Sequence, residues 1–177
     1  MHIALLRGIN VGKGRPAAMT DLVAMMDQLG FAGARTLLRT GNIVFDGGPT
    51  PPAELEALLE REAEARLGLK TLIFVRTAVE WRQAIARNPF PEAAQSDPAH
   101  LLLFAFRQAP EPDKVEGLQA AVPGRERIGA WDRHAYVVYP DGIGTSQLTP
   151  SLWSRWLAPA TGRNWNTALK LQAMVKS

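Results

Sequence analysis

The chain has 177 residues, of which 46% are hydrophobic and 21% charged, with no cysteine and a net charge of +3. That length and apolar content fit one ordinary domain or two small lobes with a sizeable core, and they argue against disorder. The missing cysteines exclude disulfides, thiolate zinc sites, iron–sulfur clusters and cysteine nucleophiles, and they fit a reducing cytoplasm. No apolar run approaches the ~20 residues a bilayer-spanning helix needs. The N-terminal apolar stretch, Ile3 to Leu6, stops at Arg7 with no basic segment before it, so neither a signal peptide nor a membrane partner is expected. Charge is uneven along the chain. Residues 149–177 hold four cations and no acid, and the first twenty residues hold Arg7, Lys13 and Arg15 without an acid. If the two ends meet, they form one electropositive patch.

His2 to Arg7 reads as a short apolar strand ending at Gly8. A helix follows, with Leu22, Met25, Met26 and Leu29 at helical spacing and Gly30 placed to end it. Arg35 to Leu38 and Asn42 to Asp46 read as two strands around Thr40-Gly41, a hairpin signal. Ala53 to Leu67 is a helix closed by Gly68, and Leu69 to Arg76 is a strand. The order β-α-β-β-α-β is complete by residue 76 and matches the ferredoxin-like split pattern. Thr77 to Arg87 reads as helix, and Asn88 to Ala99, with three prolines, as a surface connection. Leu101 to Phe106 is a strand and Asp113 to Ala121 a helix; Arg125 to Trp131 and Ala135 to Tyr139 form a second hairpin. Ser151 to Leu157 and Arg163 to Lys176 are expected helices. The reading is therefore α+β: a ferredoxin-like lobe over residues 1–76, then a variant ferredoxin-like lobe over 77–177. The second lobe ends in helices where a fourth strand would stand, the last of them able to pack back on the first lobe.

The loop Arg7-Gly8-Ile9-Asn10-Val11-Gly12-Lys13-Gly14-Arg15 invites comparison with phosphate-binding loops. A Walker A loop needs G-x4-G-K-[ST]. Here only three residues separate Gly8 from Gly12, and Gly14 stands where the hydroxyl should be. Gly12 to Ala17 fits the dinucleotide pattern G-x-G-x-x-A, but it begins well past the strand, in an order that lacks the parallel pairing this motif requires. What survives is a loop that can expose backbone N–H groups between cations, ahead of a helix N-terminus, and so hold an anion. In the ferredoxin-like order strands one and three are antiparallel neighbours, which brings Arg39-Thr40-Gly41-Asn42 beside Arg7 to Asn10. At ~100° per residue, Arg163, Asn166, Thr167 and Lys170 share one face of the expected last helix, without a carboxylate. Trp165, Ala168, Leu169, Gln172 and Val175 take the other side, and Thr161 or Asn164 can cap the helix.

The segments ALLRGINVG, LGFAGARTLLRTGNIVF, NPF and RNWNTALKL, in this order and spacing, resemble the domain of unknown function 1697 family, from about residue 2 to 172. That resemblance implies two ferredoxin-like lobes in a small soluble bacterial protein, and no activity. The family usually reads L-Q-S-G-N at the hairpin; this chain has Leu38-Arg39-Thr40-Gly41-Asn42, which makes the turn more basic.

Metal catalysis finds no ligand cluster among His2, His100 and His134, and no cofactor is implied. Gly144-Thr145-Ser146-Gln147 is no nucleophile elbow. RNA recognition on the sheet would need aromatics on strands one and three. Strand one has none, and Phe45 with Ile43 is expected in the core. Trp153, Trp156 and Trp165 are expected in the core of the last lobe. The function expected is binding of an anionic, phosphate-bearing small ligand or nucleotide by Arg7, Asn10, Lys13, Asn42, Arg163, Asn166 and Lys170. Nucleic-acid binding through the basic ends is one alternative. An enzyme acting on a phosphorylated substrate is the other.

Overall fold

The computed structural model describes residues 1–9 and 17–175. The fold is α+β, with two four-stranded antiparallel sheets and seven α-helices among the described residues. Two units are separable: Met1–Arg82 with Leu171–Ser177, and Gln83–Lys170.

The first unit runs β1 (His2–Leu6), α1 (Met19–Gln28), β2 (Arg35–Leu37), β3 (Asn42–Phe45), α2 (Pro52–Leu67) and β4 (Ile73–Thr77). Its sheet order is β2-β3-β1-β4, with every neighbouring pair antiparallel. Both helices end as their glycines predict. Gly30 at φ 87° and Gly68 at φ 62° take the left-handed turn that costs a residue with a Cβ and costs glycine nothing. After Gly68, Leu69 N–H reaches back 3.0 Å to the Ala63 carbonyl. Leu69 is thus spent on closing α2, and β4 starts at Ile73 rather than at Leu69. The core gathers Leu22, Met25 and Met26 of α1 and Leu55, Leu59 and Ala63 of α2. They pack on Ala4, Leu6, Ile43, Phe45, Ile73 and Val75. Ile43 and Phe45 point into this core as expected, so β3 presents no aromatic platform for bases.

β4 is an edge strand, and its outward N–H groups find side-chain acceptors. Ile73 N–H donates to Glu60 Oε1 at 2.7 Å, Val75 N–H to Glu56 Oε1 at 2.8 Å and Thr77 N–H to Glu80 Oε2 at 2.8 Å. Glu56 and Glu60 are one helical turn apart on α2, so they lie on one face and match alternate residues of the strand. Glu56 is 4% exposed and sits 3.8 Å from the guanidinium of Arg76, which is fully buried.

The second unit carries α4 (Pro91–Ser96), β5 (Leu101–Ala105), α5 (Pro112–Ala121), β6 (Arg127–Trp131), β7 (His134–Val138), α6 (Pro150–Trp156) and β8 (Thr161–Asn164). Helices α3 (Ala78–Ala86) and α7 (Trp165–Met174) each have residues assigned to both units. The sheet order β6-β7-β5-β8 repeats that of the first unit. Two sequence expectations are corrected here. The segment Asn88 to Ala99 is not only a connection: Pro91, one of its three prolines, stands at the N-terminus of α4, where proline is tolerated. The second lobe also has its fourth strand. Thr161–Asn164 pairs antiparallel with β5, from Leu102↔Asn164 to Ala105↔Thr161. Glycine is needed there, because a Cβ on Gly162 would lie 2.7 Å from the Phe104 ring.

The last helix therefore begins at Trp165, and Arg163 is not on it. Asn164 caps it, its Oδ1 accepting Thr167 N–H at 3.0 Å. Asn166 and Lys170 are exposed on α7, while Thr167 is buried at 7% and Leu169, expected on the docked side, is 41% exposed. Trp153 stacks on Phe106 at 5.9 Å, and Trp156 fills the space left by Gly117. Both pack against the core of the second unit, and Trp165 is 5% exposed.

Glu126, 6% exposed, accepts a short hydrogen bond from the Ser146 hydroxyl and one of 3.1 Å from Gln147 N–H. Burial pushes its carboxyl up, but the bonds from Ser146 and the neighbouring N–H groups outweigh it and hold the group below the usual 4.5. A depressed carboxyl stabilises the fold above its unfolded pKa, and that contribution is lost as pH falls through the folded value. The gap in urea midpoint between the wild type and Glu126→Gln should therefore be widest at pH 7 and shrink as pH falls below the usual carboxylate value. An equal gap at pH 7 and pH 3 would overturn this assignment.

Candidate functional site

The end of β1 is fixed from both sides. Leu6 N–H donates to the Gly41 carbonyl at 2.8 Å, and Arg7 N–H to the Leu72 carbonyl at 2.9 Å. The Thr71 hydroxyl donates to the Arg7 carbonyl at 2.7 Å. The backbone of Arg7 is thus held while its side chain is exposed. Gly8, at φ 62°, turns the chain out of the sheet, and Ile9 returns to the core at 6% exposure. The order Arg-Gly-Ile has a physical sense: a cation outward, a turn, then an anchor.

The β2–β3 turn lies beside it, as the strand order predicts. Gly41 packs so closely that a Cβ there would fall 2.6 Å from Ile9 Cδ1. Asn42 is fully buried, and its Nδ2 donates to the Leu37 carbonyl at 2.8 Å and to Thr40 Oγ1 at 3.0 Å. These bonds brace a turn in which Leu38 adopts φ 60°, a conformation that costs a non-glycine residue of order 1 kcal/mol. Leu38 is also 52% exposed.

On the other flank of Arg7, towards β4 and α2, opens a cavity of about 550 Å³, lined by Arg7, Gly8, Lys70, Thr71 and Leu72, with Glu60 and Glu64 of α2. Among the described residues, the side chains of Arg7, Lys70 and Glu64 make no ion pair or hydrogen bond. Glu60 is held by Ile73 N–H. Glu64, one turn further along α2, lies where the row of strand-capping glutamates runs out. A second cavity of about 320 Å³ opens at the start of α1, lined by Ala17, Ala18, Asp21 and residues 66–69. The N-cap of α1, Ala18, supplies no side-chain cap, which leaves first-turn N–H groups for water or an anion.

A family model described as a protein of unknown function, DUF1697, matches residues 1–136. The chain belongs to the DUF1697 family. The matched span takes in the Arg7-Gly8-Ile9 turn, the Thr40-Gly41-Asn42 hairpin and Asn88-Pro89-Phe90; the Arg163–Leu171 segment lies past it. No curated protein matches this DUF1697 chain. It is similar in fold to a solved structure of a conserved bacterial protein from Streptococcus pneumoniae. That likeness has a TM-score of 0.74 at 19% identity and covers 99% of this chain and 98% of that one.

The seven residues expected at a ligand are thus distributed as follows. Arg7 lines the first unit's larger cavity. Asn42 lies at the same sheet end with its amide turned into the hairpin. Asn10 and Lys13 lie outside the described residues. Arg163 belongs to β8 and is 8% exposed; its Nη1 donates to Thr161 Oγ1 at 2.9 Å and to the Gly162 carbonyl at 2.8 Å. Burial pushes its pKa down to about 10. Asn166 and Lys170 are exposed on α7 in the second unit. The sequence reading missed Lys70, Glu60 and Glu64. The signal for Lys70 was present in Gly68-Leu69: once Leu69 folds back to close α2, the next residue falls on the rim.

Among the described residues no helix is long and apolar enough to cross a membrane, and no group of His, Asp and Glu could hold a metal ion.

Proposed function

We propose that this protein binds a phosphate-bearing small ligand at the first unit's loop edge, with Arg7 and Lys70 as its cationic contacts. The observation that carries the reading is that these two side chains, both exposed and without an ion-pair partner among the described residues, line one cavity of about 550 Å³. That volume suits a single small molecule. The backbone around Arg7 is already fixed by Leu72 and Thr71, so at that position binding has the side chain to order and not the main chain. Asn10 and Lys13 of the glycine-rich loop belong to the same proposal as further donors. Asn42 serves in it as a positioning residue that braces the turn. Asn166 and Lys170 remain as an exposed polar pair one turn apart on α7, and Arg163 supports the strand that precedes them.

We read both units as ferredoxin-like lobes, on the repeated strand order β2-β3-β1-β4 and β6-β7-β5-β8. A cysteine-free chain suits the reducing cytoplasm, where phosphorylated metabolites are held. Base stacking on the first sheet draws no support, because Phe45 is fully buried in the helix-covered core.

Titration calorimetry with inorganic phosphate and pyrophosphate at low salt tests the reading. Binding should weaken about tenfold in Arg7→Ala and in Lys70→Ala, the loss of one charge-assisted hydrogen bond in each. Binding should also weaken with added salt. Heat signals absent for both anions, or unaffected by either substitution, would sink it.

A further inference from the structure

Resting on that reading, we infer that the ligand is a phosphorylated polyhydroxy compound, a sugar phosphate rather than a nucleotide or a bare inorganic anion. The cavity that holds Arg7 and Lys70 is not uniformly basic. Glu64 lines it as well, exposed and with its carboxylate unpartnered among the described residues. An ionised carboxylate is an acceptor only. It repels phosphate and has something to gain solely from hydroxyl or amine donors. A bare phosphate would meet two cations and two carboxylates, Glu64 and the Glu60 group that already accepts from Ile73 N–H. A sugar phosphate can place its phosphate on the cations and turn its hydroxyls to the acid.

The walls also argue against a base. Among the described residues the cavity lining includes no aromatic side chain, and Leu72 is its one large aliphatic group. Nucleobases are gripped mainly by stacking on aromatic or guanidinium faces, and here the guanidinium is needed for the phosphate. Glu60, fixed by Ile73 N–H at 2.7 Å, gives the acidic wall a rigid foot one turn from Glu64.

The test compares sodium phosphate, ribose 5-phosphate and adenosine monophosphate by titration calorimetry on the full chain, in the wild type, Glu64→Gln and Arg7→Ala. Ribose 5-phosphate should bind the wild type about tenfold tighter than phosphate, as one or two hydrogen bonds to a charged acceptor would give. Adenosine monophosphate should gain nothing over ribose 5-phosphate. Glu64→Gln should bring the sugar phosphate and phosphate affinities together while leaving phosphate binding equal or tighter, since a repelling charge is gone. Arg7→Ala should weaken both alike. Equal affinities in the wild type, a preference that Glu64→Gln does not move, or a further gain from the base would each overturn the ligand class while leaving anion binding in place. Failure of phosphate and ribose 5-phosphate alike to bind would remove the proposed function and this inference with it.

Discussion

Glu56→Ala should lower the stability of the fold by about 3–5 kcal/mol, the range found when one partner of a buried ion pair is removed. The carboxylate has two duties. It accepts Val75 N–H at 2.8 Å and lies 3.8 Å from the guanidinium of Arg76, which has no exposure to solvent. Truncation strands the N–H and weakens the compensation of a charge that water cannot reach. Glu56→Gln separates the two duties, because its amide oxygen can still accept from Val75 while its charge is gone. Urea unfolding followed by circular dichroism should rank the wild type first, then Glu56→Gln, then Glu56→Ala. Indistinguishable midpoints for the three proteins would show that the pair contributes nothing.

Gly41→Val should cost about 3 kcal/mol or more, combining backbone strain with overpacking. Gly41 has φ 73°, where a β-branched residue is poorly tolerated, and an added Cβ would fall 2.6 Å from Ile9 Cδ1 and 2.8 Å from Leu6 Cβ. Neither neighbour has room to give, since Leu6 is fully buried and Ile9 is 6% exposed. Gly48 supplies the control. It has φ 59° but nothing within 4 Å of an added Cβ, so Gly48→Ala should carry only the strain, about 1 kcal/mol. Thermal denaturation of the two variants separates strain from collision. A Gly41→Val protein as stable as Gly48→Ala would mean that the Arg7–Ile9 turn does not press on the hairpin as described.

The first unit was legible in the sequence because its signals are local. Gly30 and Gly68 close helices, Thr40-Gly41 closes a hairpin, and the apolar spacing of Leu22, Met25 and Met26 names the buried face. The fourth strand of the second unit was not legible. Thr161-Gly162-Arg163-Asn164 has no apolar residue, and what makes it a strand is the free edge of β5 and the Phe104 ring under Gly162, both remote in sequence. The same four residues misled the site assignment. Arg163 falls at a helical angle from Asn166 and Lys170, yet Asn164 caps the helix one residue later. Part of the candidate site was readable: Arg7 and the approach of the hairpin followed from strand order alone. Its other wall was not, because Leu69 to Arg76 has the composition of one strand, and the turn that puts Lys70 on the rim is set by Leu69 N–H bonding back to the Ala63 carbonyl.

The glutamates of α2 and α3 have a consequence for self-association. The outer strand of a sheet carries an open row of N–H and C=O groups that can recruit a strand from another molecule unless something blocks it. At β4 that row is already occupied at Ile73, Val75 and Thr77. An incoming chain would have to strip three carboxylates from the donors it needs, and would bring its own carbonyl oxygens up against negative charge. The first sheet is therefore chemically terminated on that side, and crowding the protein should not turn β4 into a template for neighbouring copies.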